Sequence, residues 1–139
     1  VVGNDSSQRI QAIADGAGWR QRLHCIQDTD DLRCFYQGAD LLVHPARDEA
    51  AGMVLVEALI SELPVVCSEV CGYGDQVAQC GAGQVVSASS FAETVLDALC
   101  DAELLEQWRT AAQKYKATFQ YKDMHLALVQ RLEKHACTS

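Results

Sequence analysis

The sequence predicts an α/β fold, a Rossmann-like parallel sheet with helices on both faces and a helical carboxyl-terminal end. Three observations predict it. Short apolar, β-branched runs alternate with helical patterns, the signature of βα units around a parallel sheet. From Ser90 onward the pattern is helical only. A chain of 139 residues, 49% apolar and 22% charged, has the composition of one globular domain able to bury roughly two thirds of its unfolded surface.

Val1 and Val2 read as the end of a first strand. SSQRIQAIADGAG follows as a helix with Ile10 and Ile13 inward and glycines to stop it, and residues 22–26 supply a second strand. Thr29 or Asp28 is placed to cap the helix DDLRCFYQGA, whose Leu32, Phe35, Tyr36 and Ala39 fall at helical spacing. Residues 41–44 make a strand, residues 52–61 a helix, and PVVCS the next strand, with Pro64 at the entry position where a missing donor is tolerated. In QCGAGQVVS, Gly81 and Gly83 punctuate a turn before a short strand at 84–86.

The helical end carries Phe91, Val95, Leu96 and Leu99 on one face and Leu104, Leu105 and Trp108 on another. A last helix over 121–136 has an apolar stripe of Met124, Leu128, Val129, Leu132 and Ala136, with no later strand to cover. There is no internal repeat, low-complexity tract or linker. The whole of 1–139 therefore reads as a single domain.

A net charge of −8 and a pI near 4.8 argue against nucleic acid or an anionic membrane surface as partner, because both select basic patches. No apolar run approaches the roughly 18 residues of a membrane span, and VVGNDSSQ has neither a basic leader nor a signal-peptide core. A cytoplasmic protein is the expectation. Seven cysteines, an odd number and mostly in apolar surroundings, fit a reducing compartment and small buried hydrophobes better than a disulfide framework. Cys67 and Cys71 have a gap that zinc can use, but no second pair at ligand spacing follows, so no metal is expected. The chain opens on Val1, at the tail of an apolar run, which predicts that part of the core and of the active site precedes it.

The most informative stretch is HPARDEAAGMVLVEALISELPVV, residues 44–66. A helix starting near Gly52 leaves its first amide donors without partners and carries partial positive charge, so it attracts a diphosphate. Glu49 lies in the loop before it. Glu57 falls about five residues inside the helix, roughly 7.5 Å along its axis at 1.5 Å per residue. Hydroxylated groups on either side of a bound diphosphate match two such carboxylates, and a nucleoside diphosphate sugar has a hydroxylated ring at each end. The small side chains of Ala50, Ala51 and Gly52 let backbone amides approach a ligand, and a bulky residue at Gly52 is expected to block that approach. Spacing alone leaves an alternative, in which Gly52 merely starts a helix and Glu49 complements its dipole.

Glu57 interrupts MVLVEALI and needs a partner, either a ligand, solvent or a basic residue. His44 ends a strand and is first a structural histidine, second a candidate base. Further along, Gly72 and Gly74 flank Tyr73 at the same presumed sheet edge, where Tyr73 either lines a pocket or packs in a turn. Ile26 and Gln27, at the end of the second strand, are placed to offer backbone groups to a nucleobase. Arg47 is the basic residue beside the motif, and Asp48 is its natural partner.

With these residues the chain resembles the carboxyl-terminal, donor-binding half of retaining GT-B glycosyltransferases of family 4. The Glu-x7-Glu pair, Glu49 and Glu57, is that family's mark. EAAG and VCGY are most similar to members that transfer glucose from UDP-glucose to an inner-core heptose of lipopolysaccharide. The resemblance spans essentially the whole chain and is strongest over 40–83. It implies that Glu49 contacts donor-sugar hydroxyls and is the catalytic position, that Ala51, Gly52 and Met53 make backbone contacts to sugar or diphosphate, and that Glu57 binds the ribose. It also implies a UDP-sugar donor, no metal or other cofactor, and a lipopolysaccharide core acceptor held by a further domain. The full-length enzyme would be cytoplasmic and peripheral at the inner membrane.

The family's diphosphate-binding Arg and Lys would precede Val1, so these 139 residues alone are expected to be inactive and, with a sheet edge exposed, to self-associate. A different class stays open beside it: a non-catalytic α/β nucleotide-binding or interaction module. A receiver-like domain is set aside, because Asp5 stands alone where an acidic cluster is needed.

Overall fold

The computed structural model describes residues 7–18, 20–26, 29 and 31–119. The expected strand at 1–2 and the expected helix over 121–136 lie outside them, as do Gln27 and Asp28. The chain forms two compact units, Val1–Leu32 and Arg33–Ser139.

In the first unit, helix α1 (Ser7–Ala17) runs to Gly18, whose left-handed backbone ends it, and a single 3-10 turn follows at Arg20–Arg22. Two expectations are corrected there. Residues 22–26 form no strand, only an isolated bridge at Ile26. Ile13 is 56% exposed, whereas its neighbour Ala14 is fully buried. Thr29 Oγ1 accepts the Asp31 N–H at 3.1 Å, a local turn bond just ahead of the next helix.

Helix α2 (Leu32–Gly38) lies, apart from its first residue, in the second unit, which then alternates: β1 (Leu42–His44), α3 (Met53–Ile60), β2 (Val65–Ser68), α4 (Gly74–Cys80), β3 (Gly83–Val86), α5 (Phe91–Cys100) and α6 (Ala102–Thr118). The three strands form a parallel sheet in the order β1-β2-β3, with His44 opposite Cys67 and Cys67 opposite Val85. β2 is central and all four of its residues are buried, as a parallel strand covered on both faces requires.

Side-chain alternation along β2 divides the core. Val65 and Cys67 join Leu55, Leu59, Val77 and Ala112 in one cluster, while Val66 turns to Ala98 and Trp108 in another. Helices α3 and α4 therefore cover one face and α5 the other. α6 reaches both, through Ala112 and Trp108. Its start is capped by Asp101, whose Oδ1 accepts the Leu104 N–H at 2.9 Å.

On α5 the buried stripe is Phe91, Val95 and Ala98, and the expected inward residues Leu96 and Leu99 are 63% and 52% exposed. On α2, Tyr36 and the following Ala39 pack inward, whereas Leu32 and Phe35 are exposed. Among the described residues no helix is long and apolar enough to cross a membrane.

Candidate functional site

The carboxyl ends of β1 and β2 lie side by side, and from each a loop leads into a helix: residues 45–52 into α3 and 69–73 into α4. This is the edge where open α/β sheets bind ligands. Backbone and side-chain bonds lock the two loops together. Ser68 Oγ, at the end of β2, donates to the Ala46 carbonyl at 2.7 Å, and the Tyr73 N–H donates to the Ala51 carbonyl at 2.8 Å. Between them Gly72 passes so close that a Cβ would lie 2.3 Å from the Ala50 carbonyl oxygen. EAAG and VCGY thus form one interlocked unit.

Gly52 is the N-cap of α3, in the left-handed region at φ 76°, with no side-chain cap on the helix. Its own N–H is taken by Glu49 Oε1 at 3.2 Å, and the Leu55 N–H turns back to the Gly52 carbonyl at 3.0 Å. Met53 and Val54 hold the first two helical positions, whose amides helix geometry leaves without an intrahelical acceptor. The loop thereby presents donors at a positive helix end, with Glu49 folded back over them.

The second Glu49 oxygen, Oε2, lies 3.6 Å from His44 Nε2. That distance is too long for a hydrogen bond, and His44 Nε2 has no other hydrogen-bond partner among the described residues. Glu49 is about one third exposed and His44 about one quarter.

One turn into α3, Glu57 shares a face with the exposed Met53, while Leu55, Val56, Ala58 and Leu59 are buried. Half-buried, it pairs with no basic residue among the described residues; the Tyr36 hydroxyl, from α2, donates to Glu57 Oε2 at 2.8 Å. Burial, then the hydrogen bond to Glu57, then the Glu57 charge all push the Tyr36 phenol above its ordinary value. Tyr36 is therefore a protonated donor at neutral pH.

Tyr36 and Ser68 were not among the sequence candidates. Tyr36 reads in sequence as part of an apolar stripe, and its hydroxyl finds Glu57 only because α2 and α3 are neighbours in space. The signal that pointed to it was Glu57's need for a partner.

The remaining candidates separate. Tyr73 is 3% exposed, its ring belongs to the core cluster with Val77, and its backbone N–H serves the site loop. Arg47 and Asp48 are both exposed, with no ion pair between them. Ile26 belongs to the first unit.

Cys67 and Cys71 are buried, and burial, followed by the neighbouring Cys71, pushes the Cys67 thiol up to about 12, which leaves it inert. Cys34 and Cys100 are exposed, against the expectation of burial for most cysteines. No group of three or more His, Cys, Asp or Glu side chains comes together as a metal site among the described residues.

Residues 1–115 match the glycosyl transferases group 1 family, and the chain belongs to it. It is 36% identical over 122 residues to the lipopolysaccharide glucosyltransferase WaaG of Escherichia coli (strain K12), a match covering 85% of this chain and 33% of WaaG. To the lipopolysaccharide core biosynthesis mannosyltransferase LpcC of Rhizobium leguminosarum bv. viciae it is 29% identical, over 60% of this chain and 24% of LpcC.

The crystal structure of WaaG, a glycosyltransferase involved in lipopolysaccharide biosynthesis, superposes with a TM-score of 0.83 and 34% identity over 92% of this chain and 36% of that one. Its GT-B architecture agrees with the parallel α/β fold described above. Sucrose-phosphate synthase from Thermosynechococcus elongatus shares the fold, with a TM-score of 0.68 and 24% identity over 99% of this chain and 38% of that one. The chain spans a third or less of the length of these curated relatives.

Proposed function

We propose that these residues hold the donor of a retaining glycosyltransferase, UDP-glucose, and that the complete enzyme passes the glucose to an inner-core heptose of lipopolysaccharide. One arrangement carries the reading: two carboxylates, Glu49 before α3 and Glu57 one turn inside it, flank an uncapped helix start at the carboxyl end of a parallel sheet. The similarity to a lipopolysaccharide glucosyltransferase supports the choice of sugar and acceptor.

In this reading the diphosphate sits beside Gly52 at the amides of Met53 and Val54, where the helix dipole favours negative charge. Glu49, whose Oε2 has no hydrogen-bond donor among the described residues, accepts from hydroxyls of the transferred sugar. Glu57 accepts from the ribose, and Ala51 shapes the approach. The protein acts chiefly by orientation and by stabilising the departing UDP, without a metal. The acceptor binds to a segment outside these residues, and the enzyme works in the cytoplasm as a peripheral protein of the inner membrane.

Titration with UDP, UDP-glucose and ADP-glucose, followed by amide resonances, tests the donor site. UDP-glucose is expected to shift Gly52, Met53 and Val54. No shift at millimolar ligand would favour a non-catalytic interaction module instead. Arg47 is the one basic side chain in the 45–52 loop, and charge-assisted contacts are roughly twice as strong as neutral ones. The 139 residues alone are therefore expected to bind donor weakly and transfer no glucose; detectable transfer by them would refute this.

A further inference from the structure

We propose that Tyr36 is the positioning residue for Glu57, and that through it the site selects a ribonucleotide donor over its 2′-deoxy counterpart. The proposal rests on the reading of Glu57 as the ribose acceptor and adds the group that makes that reading selective.

Glu57 has a long side chain with several rotamers, and an unrestrained carboxylate loses that freedom only when ligand arrives. Here one oxygen is already held. The Tyr36 hydroxyl donates to Oε2 at 2.8 Å, a charge-assisted bond to a half-buried acceptor. The phenol is anchored in turn, because the Tyr36 ring packs against the cluster containing Leu55 and Leu59. No Lys, Arg or His pairs with Glu57 among the described residues. Oε1 is left with its lone pairs for a second donor, on the helix face shared with Met53. A carboxylate fixed at one oxygen and open at the other suits the adjacent hydroxyls of a ribose. It gives no such advantage to a sugar lacking the 2′-hydroxyl.

The test is made on the protein expressed from its complete reading frame. Dissociation constants for UDP-glucose and its 2′-deoxyribose analogue are measured by calorimetry in wild type, Tyr36→Phe, Glu57→Ala and the double variant. Tyr36→Phe keeps the ring and its packing and removes only the hydroxyl. It is expected to weaken UDP-glucose roughly 3- to 10-fold, to leave the analogue within about 2-fold, and to add little once Glu57 is alanine. A purely structural role would shift both ligands alike and leave their ratio unchanged. If Glu57→Ala lowers the ratio and Tyr36→Phe does not, the proposal fails while the reading of Glu57 stands. If neither variant changes the ratio, the ribose reading itself fails and the proposal falls with it.

Discussion

At the scale of single residues, Gly52 and Gly72 are both glycines for different reasons, and the difference is measurable. A Cβ at Gly52 meets only ordinary contacts, 3.5 Å from Leu55 and 3.6 Å from Glu49, so its requirement is the left-handed backbone at φ 76°. Gly52→Ala should destabilise by about 1–2 kcal/mol, and Gly52→Asn by less, because Asn visits that region more readily. Gly72 has no such escape. Its Cβ would lie 2.3 Å from one carbonyl oxygen and 2.8 Å from another, so Asn should be no better than Ala there. Both should cost about 1–3 kcal/mol and displace the EAAG loop. Denaturant melts of the four variants check this: a Gly72→Asn protein as stable as wild type would contradict the close approach. The carboxylates divide in the same spirit. In the complete enzyme Glu57→Ala should raise the Kd for UDP-glucose about 10-fold or more with kcat near wild type, whereas Glu49→Ala should lower kcat as well. Equal, purely binding losses in steady-state kinetics would contradict separate roles.

At the scale of elements, what the sequence made legible depended on whether one stripe or two were available. Within VVCS the continuous apolar run VVC has one reading, a strand buried on both faces. α5 has a broad apolar arc, with Glu93, Thr94 and Asp97 confined to one side, and within that arc periodicity gives no reason to choose Phe91, Val95 and Ala98 over Leu96 and Leu99; the position of Val66 and Trp108 decides. The site shows the same limit. Glu49, Gly52 and Glu57 stand out because they break or punctuate a local pattern, while Tyr36 and Ser68 act on partners 21 and 22 residues away. The end of α3 was equally hidden. Leu63 N–H reaches the Ala58 carbonyl and Glu62 N–H the Leu59 carbonyl, both the bonds of a Schellman motif, yet the left-handed position belongs to Glu62 at φ 65° rather than to glycine. Glu62 is held there by Lys116 Nζ at 2.6 Å and by Gln113, both on α6. The Lys116 bond and charge lower its pKa below the ordinary 4.5, so the pair contributes stability above that value and loses it as pH falls through the lowered one. Glu62→Gly relieves the backbone but gives up the pair. Its melting temperature relative to wild type should therefore rise as pH is taken from 7 to 3, and a constant difference across that range would count against the linkage.

At the scale of the whole second unit, the sheet separates two apolar clusters, and α6 is the element that belongs to both. Trp108, 6% exposed, fills the cluster under α5, and one turn later Ala112, fully buried, meets the cluster under α3. A rigid helix that plugs both faces makes each cluster's order depend on the other, and the site loops inherit that dependence because they open directly onto α3 and α4. Trp108→Ala removes a large side chain that its small neighbour Ala98 cannot replace, and should cost about 3–5 kcal/mol. That is a large share of the roughly 5–15 kcal/mol that holds a typical domain. The informative quantity is where the loss is felt. If α6 couples the faces, amide exchange should accelerate by similar factors at Val95 and Ala98 on α5 and at Leu59 and Ile60 on α3, on the far side of the sheet, while UDP-glucose binding weakens with it. Exchange that speeds up on α5 alone, with α3 protection and donor affinity unchanged, would mean that the two clusters melt independently and that the donor site rests on only one of them.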